Sequence, residues 1–221
     1  MSLLSRLTNP NRSLRRATAL VALPLVAGVA AVGVATPHAD AAPTGSLARG
    51  KVVARTGLTS RTAPSTHAPS ARHSYAKGAV IDIDCKMPGT DVAGNSTWYK
   101  VHGSQRWVSA RYVANIGAAP RECYLHMGTD AKTTANLTVR KAPSTLDRAT
   151  GSIRRGHAIV VWCKVSSQSV RGDKTWYYGA QDAANDATSA YTTFGWFSGA
   201  YVKAAVKGQS LGYTCDFPTP R

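Results

Sequence analysis

Acidic side chains are scarce in this chain. Its 221 residues carry 11 Asp+Glu against 27 Lys+Arg, a formal charge of +16 with a pI near 10.1. That excludes an acidic solvating protein and points to anionic surroundings. Charge of either sign is sparse at 17%, while hydrophobic residues reach 43%, the composition of a chain that buries a core rather than staying disordered. The four cysteines form no close C-x-x-C type pair of the kind structural zinc sites use. None of the six histidines falls in H-x-H or H-E-x-x-H, so metal hydrolysis has no footing. There is no G-x-S-x-G elbow and no phosphate-cradling glycine loop. No catalytic residue, metal or cofactor is expected, and the length fits one large domain or two small ones.

The first stretch reads as an address. Arg6, Arg12, Arg15 and Arg16 precede an Ala/Val/Leu run from Ala17 to Ala35, and Ala39-Asp40-Ala41 supplies a small-residue A-x-A ending. These are the three parts of a secretory signal, with cleavage placed after Ala41 and Ala42 as second choice. The competing reading is an uncleaved transmembrane helix, since the run is at the short edge of spanning length, but Pro24, Gly28 and Gly33 weaken it. Removing residues 1–41 leaves 23 basic and 10 acidic side chains, formally +13. The positive charge therefore belongs to the secreted part, which meets a membrane only in transit.

The rest of the chain is one unit written twice. Leu58-Thr59-Ser60-Arg61-Thr62-Ala63-Pro64-Ser65 returns as Leu137-Thr138-Val139-Arg140-Lys141-Ala142-Pro143-Ser144, 79 residues on. Gly78…Cys85-Lys86 returns as Gly156…Cys163-Lys164 and Thr97-Trp98-Tyr99 as Thr175-Trp176-Tyr177, both at an offset of 78. Trp107-Val108-Ser109…Tyr112-Val113 returns as Trp196-Phe197-Ser198…Tyr201-Val202 at 89, which locates an 11-residue insertion between Tyr177 and Trp196. Ile81, Ile83 and Cys85 alternate with Asp82 and Asp84, the period-2 pattern of a half-buried strand. Short strands between Gly, Pro, Asn and Ser clusters predict an all-β chain with a small barrel in each copy.

The order L-[TN]-V-R-x-[AG]-P-S, then K/R-G before a β-branched strand, then W-Y-x-V, then [GR]-W-V-x…Y-V resembles the bacterial SH3-like domain over nearly all of residues 49–221, twice. Residues 137–144 match better; the first copy has Ser60 where Val is usual and Arg106 where Gly usually precedes the Trp. The expected organisation is a signal peptide over 1–41, a linker over 42–48, SH3-like barrels over 49–124 and 125–216, and a tail over 217–221. The insertion of the second barrel lies near 180–194.

An even set of cysteines in an exported chain predicts disulfides, and four allow three connectivities. Cys85 corresponds to Cys163. Cys123 lies 11 residues after Tyr112 and Cys215 lies 14 after Tyr201. The economical pairing is Cys85–Cys123 and Cys163–Cys215, one per copy; zinc ligation and a nucleophilic thiol are the alternatives it displaces.

If Val101 and Tyr99 point into the barrel, Trp98 points out; if Val108 points in, Trp107 does not. The same alternation turns Trp176 and Trp196 outward. Such aromatics are candidate ligand contacts, though they can equally close barrel ends or pack under loops. Tyr112 and Tyr201 divide between groove wall and core. Arg61 and Arg140 stand at matching positions, and arginine suits carboxylates and phosphates alike. Asp82 and Asp84 share one strand face, but Val160 and Trp162 replace them in the second copy, so no reaction common to both copies can use them. Trp162, standing where the first copy has Asp84, is expected to be covered by Tyr191 and Phe194 of the insertion.

The resemblance implies a secreted, wall-associated binding protein that recognises cell-wall peptidoglycan, through its peptide part, or an anionic wall polymer. The alternative partner is another exported protein docking on the insertion. Nucleic acid is not expected, because the basic residues are dispersed and export removes the chain from the genome.

Overall fold

The computed structural model describes residues 47–123, 128–182 and 191–216, with the side chains of 71–74 left aside. The expected signal peptide, almost all of the linker and the tail lie outside the described residues, as do residues 183–190 of the insertion. Among the described residues the regular structure is strand, with two single 3-10 turns. No described helix is long and apolar enough to cross a membrane.

The first copy supplies β1 (Ala48–Val52), β2 (Leu58–Arg61), β3 (Ser70–Tyr75), β4 (Val80–Val92), β5 (Asn95–Val101), β6 (Trp107–Ser109) and β7 (Val113–Ile116). The second supplies β8 (Thr129–Thr133), β9 (Leu137–Arg140), β10 (Ala149–Ile153), β11 (Ala158–Val170), β12 (Asp173–Gln181), β13 (Thr192–Ser198), β14 (Val202–Ala204) and the short β15 (Tyr213–Thr214). The first sheet runs β3-β2-β6-β5-β4-β1-β7 and the second β10-β9-β13-β12-β11-β8-β14, the same path strand for strand. The internal repeat of the sequence is thus a repeat of topology.

Local chemistry repeats too. The long hairpin β4–β5 closes on Ala93 and Gly94, both with positive φ (51° and 83°), and β11–β12 closes on Arg171 and Gly172 (52° and 90°). Two consecutive left-handed residues make the turn whose twist matches that of the strands it joins, and glycine at the second position costs no Cβ clash. After β6 and β13, Ser109 Oγ and Ser198 Oγ accept from the backbone N–H of Arg111 and Ala200, each at 3.3 Å, and start the two 3-10 turns.

Both disulfides have the pairing the repeat selects, Cys85–Cys123 and Cys163–Cys215. Closing loops of 38 and 52 residues stabilises by about 4 kcal/mol each on the chain-entropy estimate. The second also carries β15, which runs parallel to β11 with Thr214 beside Lys164.

Each sheet has its own core. Val52, Ile81, Ile83, Tyr99, Val101 and Val108 pack in the first; Leu137, Val139, Ile153, Ile159, Val161 and Phe197 pack in the second. A third cluster belongs to both: Met87, Trp98 and Trp107 with Cys85–Cys123 from the first copy, and Val165, Trp176 and Trp196 with Cys163–Cys215 from the second. Fully burying an indole removes roughly 150–250 Å² from water, roughly 4–6 kcal/mol apiece. The copies are therefore not two independent beads.

Candidate functional site

Strand alternation orients the four repeat tryptophans as expected. Tyr99, Val101 and Val108 lie in the first core while Trp98 and Trp107 face away from it. Of the two readings left open for the tryptophans, an exposed contact face or a packed role, they take the packed one. Trp98, Trp107, Trp176 and Trp196 are 0–2% exposed, because the outward face of each copy is covered by the other. Their indole N–H groups are committed as well: Trp98 Nε1 donates to Thr90 O (2.9 Å) and Trp176 Nε1 to Gln168 O (2.8 Å). Trp196 Nε1 reaches across the repeats to Pro88 O (3.1 Å). Sulfur joins the same seam, with Met87 Sδ 3.9 Å from Cys163 Sγ.

A polar latch sits at the edge of this seam. Asp147, from the second copy, is almost wholly buried and accepts hydrogen bonds from Ser65 Oγ and Thr90 Oγ1 of the first, both at 2.7 Å. His67 Nδ1 stands 3.5 Å from the same carboxylate. In the second copy, Ser144 Oγ donates instead to its own Gln168 Oε1 at 2.9 Å. The latch is thus an asymmetric use of a repeated Ala-Pro-Ser loop.

Arg61 and Arg140 have matching structural duties. Each Nη1 donates to a backbone carbonyl seven residues on, Ala68 O and Asp147 O, both at 2.8 Å. They pin the loops after β2 and β9. Burial lowers the Arg61 pKa below the ordinary arginine value.

Three of the eight candidate ligand residues do converge. Arg61, Trp98 and Tyr112 line a groove of about 540 Å³ in the first copy, walled by residues 53–59 with Val92 and Ser109. Tyr112 is its open rim, 37% exposed, and Trp98 its floor. The wall between β1 and β2 has five residues in the first copy (53–57) and three in the second (134–136). The other candidates separate: Trp107 faces the junction of the copies, Trp176 and Trp196 are in the shared cluster, Tyr201 packs on the second core, and Arg140 holds its loop.

The ion pair at Lys100 escaped the sequence reading. Lys100 is 2% exposed, its Nζ 3.9 Å from Asp84 Oδ2, and His102 Nδ1 lies 2.5 Å from Asp84 Oδ1. Burial lowers the Lys100 pKa, against the pull of Asp216 from the second copy and of Asp84. At the matching positions the second copy has Tyr178 and Trp162, with ring centroids 5.8 Å apart. Tyr191 and Phe194 then pack on Trp162 at 5.7 and 5.8 Å, Phe194 nearly parallel to it, which is the cover expected of the insertion. An ion pair in one copy has become an aromatic stack in the other. The offset-78 comparison that singled out Trp162, applied to Lys100 and Tyr178, would have marked this pair too.

No protein-family model matches this chain, and no curated protein matches it in sequence. Among solved structures, that of NlpC2 from Trichomonas vaginalis is similar at 10% identity and a TM-score of 0.26, over 76% of this chain and 51% of that one. The chain spans about half the length of that protein. No group of three or more His, Cys, Asp or Glu arranged to hold a metal occurs among the described residues.

Proposed function

We propose that this is a secreted, non-catalytic binding protein whose two SH3-like units recognise cell-wall peptidoglycan through its peptide part. The observation that carries the reading is the doubled seven-strand topology with one disulfide in each copy, in a chain of strongly positive charge. Disulfides accord with an oxidising compartment outside the cytoplasm, and a cationic surface with an anionic wall. The groove over Trp98, between Arg61 and Tyr112, offers a hydrogen-bonding cation beside a flat ring edge, a combination that fits an amide chain bearing a carboxylate. The shared tryptophan cluster makes the units act as one body, so avidity from two freely tethered sites is not part of this reading.

The test is retention of the purified protein on isolated sacculi. Retention that persists at moderate salt is expected. No retention at low salt rejects the reading, and retention abolished by moderate salt reduces it to charge attraction alone.

The stack on Trp162 favours a second reading, in which another exported protein docks on the insertion. Phe194 and Tyr191 are 51% and 44% exposed, an aromatic surface absent from the first copy. Partner capture that depends on Phe194 and Tyr191 while sacculus retention does not would select it.

A further inference from the structure

The docking of the two copies creates a second cavity, of about 550 Å³, that neither copy encloses alone. The first copy contributes Gln105 and Arg106 from the β5–β6 turn, Trp107 at the start of β6, and Thr62 after β2. The second contributes Lys164, Val165 and Ser166 of β11, Thr175 opposite Ser166 on β12, and Thr214 of β15. Cys163–Cys215 holds this last wall in place, since it ties β15 alongside β11. Cavities at such junctions, in this size range, are common places for small ligands.

Its chemistry is one-sided. Arg106 and Lys164 are the charged residues of the lining, no carboxylate faces them from it, and neither is ion-paired among the described residues. Lys164 is held in place, its Nζ donating to Leu211 O at 3.1 Å, with donors left over. Thr62 Oγ1 is buried without a hydrogen-bond partner among the described residues, an arrangement that native structures seldom leave unexplained. Hydroxyls and the Gln105 amide surround an apolar floor of Trp107 and Val165. A free phosphate would meet the cations and leave that floor unused. A carboxylate attached to amides and small aliphatic groups would use all of it: the guanidinium fork pairs with both carboxylate oxygens, the hydroxyls and amide meet peptide groups, and the methyls lie on the indole.

We infer that this cleft binds the carboxylate end of a short peptide. The inference deepens the wall-binding reading by placing the peptide terminus, and the two are separable. Retention on sacculi by a protein whose cleft takes no dipeptide sinks the cleft alone; dipeptide binding without retention sinks the wall reading alone.

The experiment titrates the purified protein with acetyl-Ala-Ala in L and D forms, with its C-terminal amide, and with inorganic phosphate, followed by calorimetry and by amide and indole NMR shifts. Saturable one-to-one binding of the free acid in at least one stereochemical form is expected, with shifts at the Gln105 side chain and the Trp107 indole. Affinity should fall at least tenfold in Arg106→Gln and in Thr62→Val, and stay unchanged in the surface control Arg49→Gln. Equal binding of acid and amide overturns the inference, as does phosphate binding without acid binding, or full affinity in both cleft variants.

Discussion

Replacing Asp147 with alanine removes the acceptor that two hydroxyls of the other copy point at. Ser65 Oγ and Thr90 Oγ1 each donate to it at 2.7 Å, and Ser65 is completely buried, so its hydroxyl finds no water in exchange. Hydrogen bonds to a charged group are worth about 1.5–3 kcal/mol each. Released from Asp147, the Thr90 hydroxyl can donate to Ser65 Oγ across their 3.1 Å contact, which softens the loss. The net expectation is about 3 kcal/mol, roughly 6–12 °C in Tm at 2–4 °C per kcal/mol for a protein of this size. Asp147→Asn keeps one carbonyl acceptor and should lose about half as much. A thermal or urea unfolding series on the two variants, with Ser65→Ala and the Asp147→Ala/Ser65→Ala pair, reads the coupling across the seam; a coupling of about 1 kcal/mol or more is expected. Stability of Asp147→Ala within about 0.5 kcal/mol of the parent, a change ordinary for an unengaged surface residue, would show that the latch does not join the copies.

Three further outcomes follow from the same geometry. Replacing Cys163 and Cys215 together with serine should cost about 4 kcal/mol in urea unfolding and release β15 from Lys164; an unchanged midpoint would deny the chain-entropy account. Tyr177 is raised above 10.0 by burial, then by Asp173, so it is neutral in both states below that pH and ionises first in the unfolded chain above it. Its stabilisation is present below pH 10 and lost as pH rises through the folded value. Tyr177→Phe should flatten that decline in denaturation curves. Lys100, lowered from 10.5 chiefly by burial, works oppositely, its penalty easing as pH climbs from the folded value toward 10.5; an alkaline fall unaffected by Tyr177→Phe would refute the assignment. Finally, four of the five tryptophans are buried, so acrylamide quenching reports mainly on Trp162. Tyr191→Ala with Phe194→Ala should increase it, and unchanged quenching would contradict the stacking.

Much of this fold was legible because the chain states it twice. The repeat located the strands, placed the insertion, and selected one disulfide pairing from three. The positive-φ turns at Ala93-Gly94 and Arg171-Gly172 were less visible, since only the second residue of each is a glycine. Alternation correctly turned Trp98 and Trp107 away from their own core, but periodicity reports which face a side chain takes, not what lies against that face. The covering came from contacts between residues more than a hundred positions apart, such as Trp196 with Pro88, which no local pattern encodes. Asp147 stayed hidden for a related reason. It occupies the position of Ala68, and a departure from the repeat marks a residue as individual without naming its partner. Lys100 was not legible either: its charge is answered by Asp84 and by Asp216 of the other copy, a distant neighbour that no local pattern encodes.

The central claim is that the two copies are docked through their tryptophans, which is what creates the junction cleft. Hydrogen exchange at the Trp196 indole N–H tests it most directly, because that group's acceptor, Pro88 O, belongs to the other copy. The indoles of Trp98 and Trp176 bond within their own copies and serve as internal standards. Docked repeats predict that all three exchange slowly, through global unfolding. Rapid exchange at Trp196 while the other two stay protected would mean that the copies fold but do not hold each other.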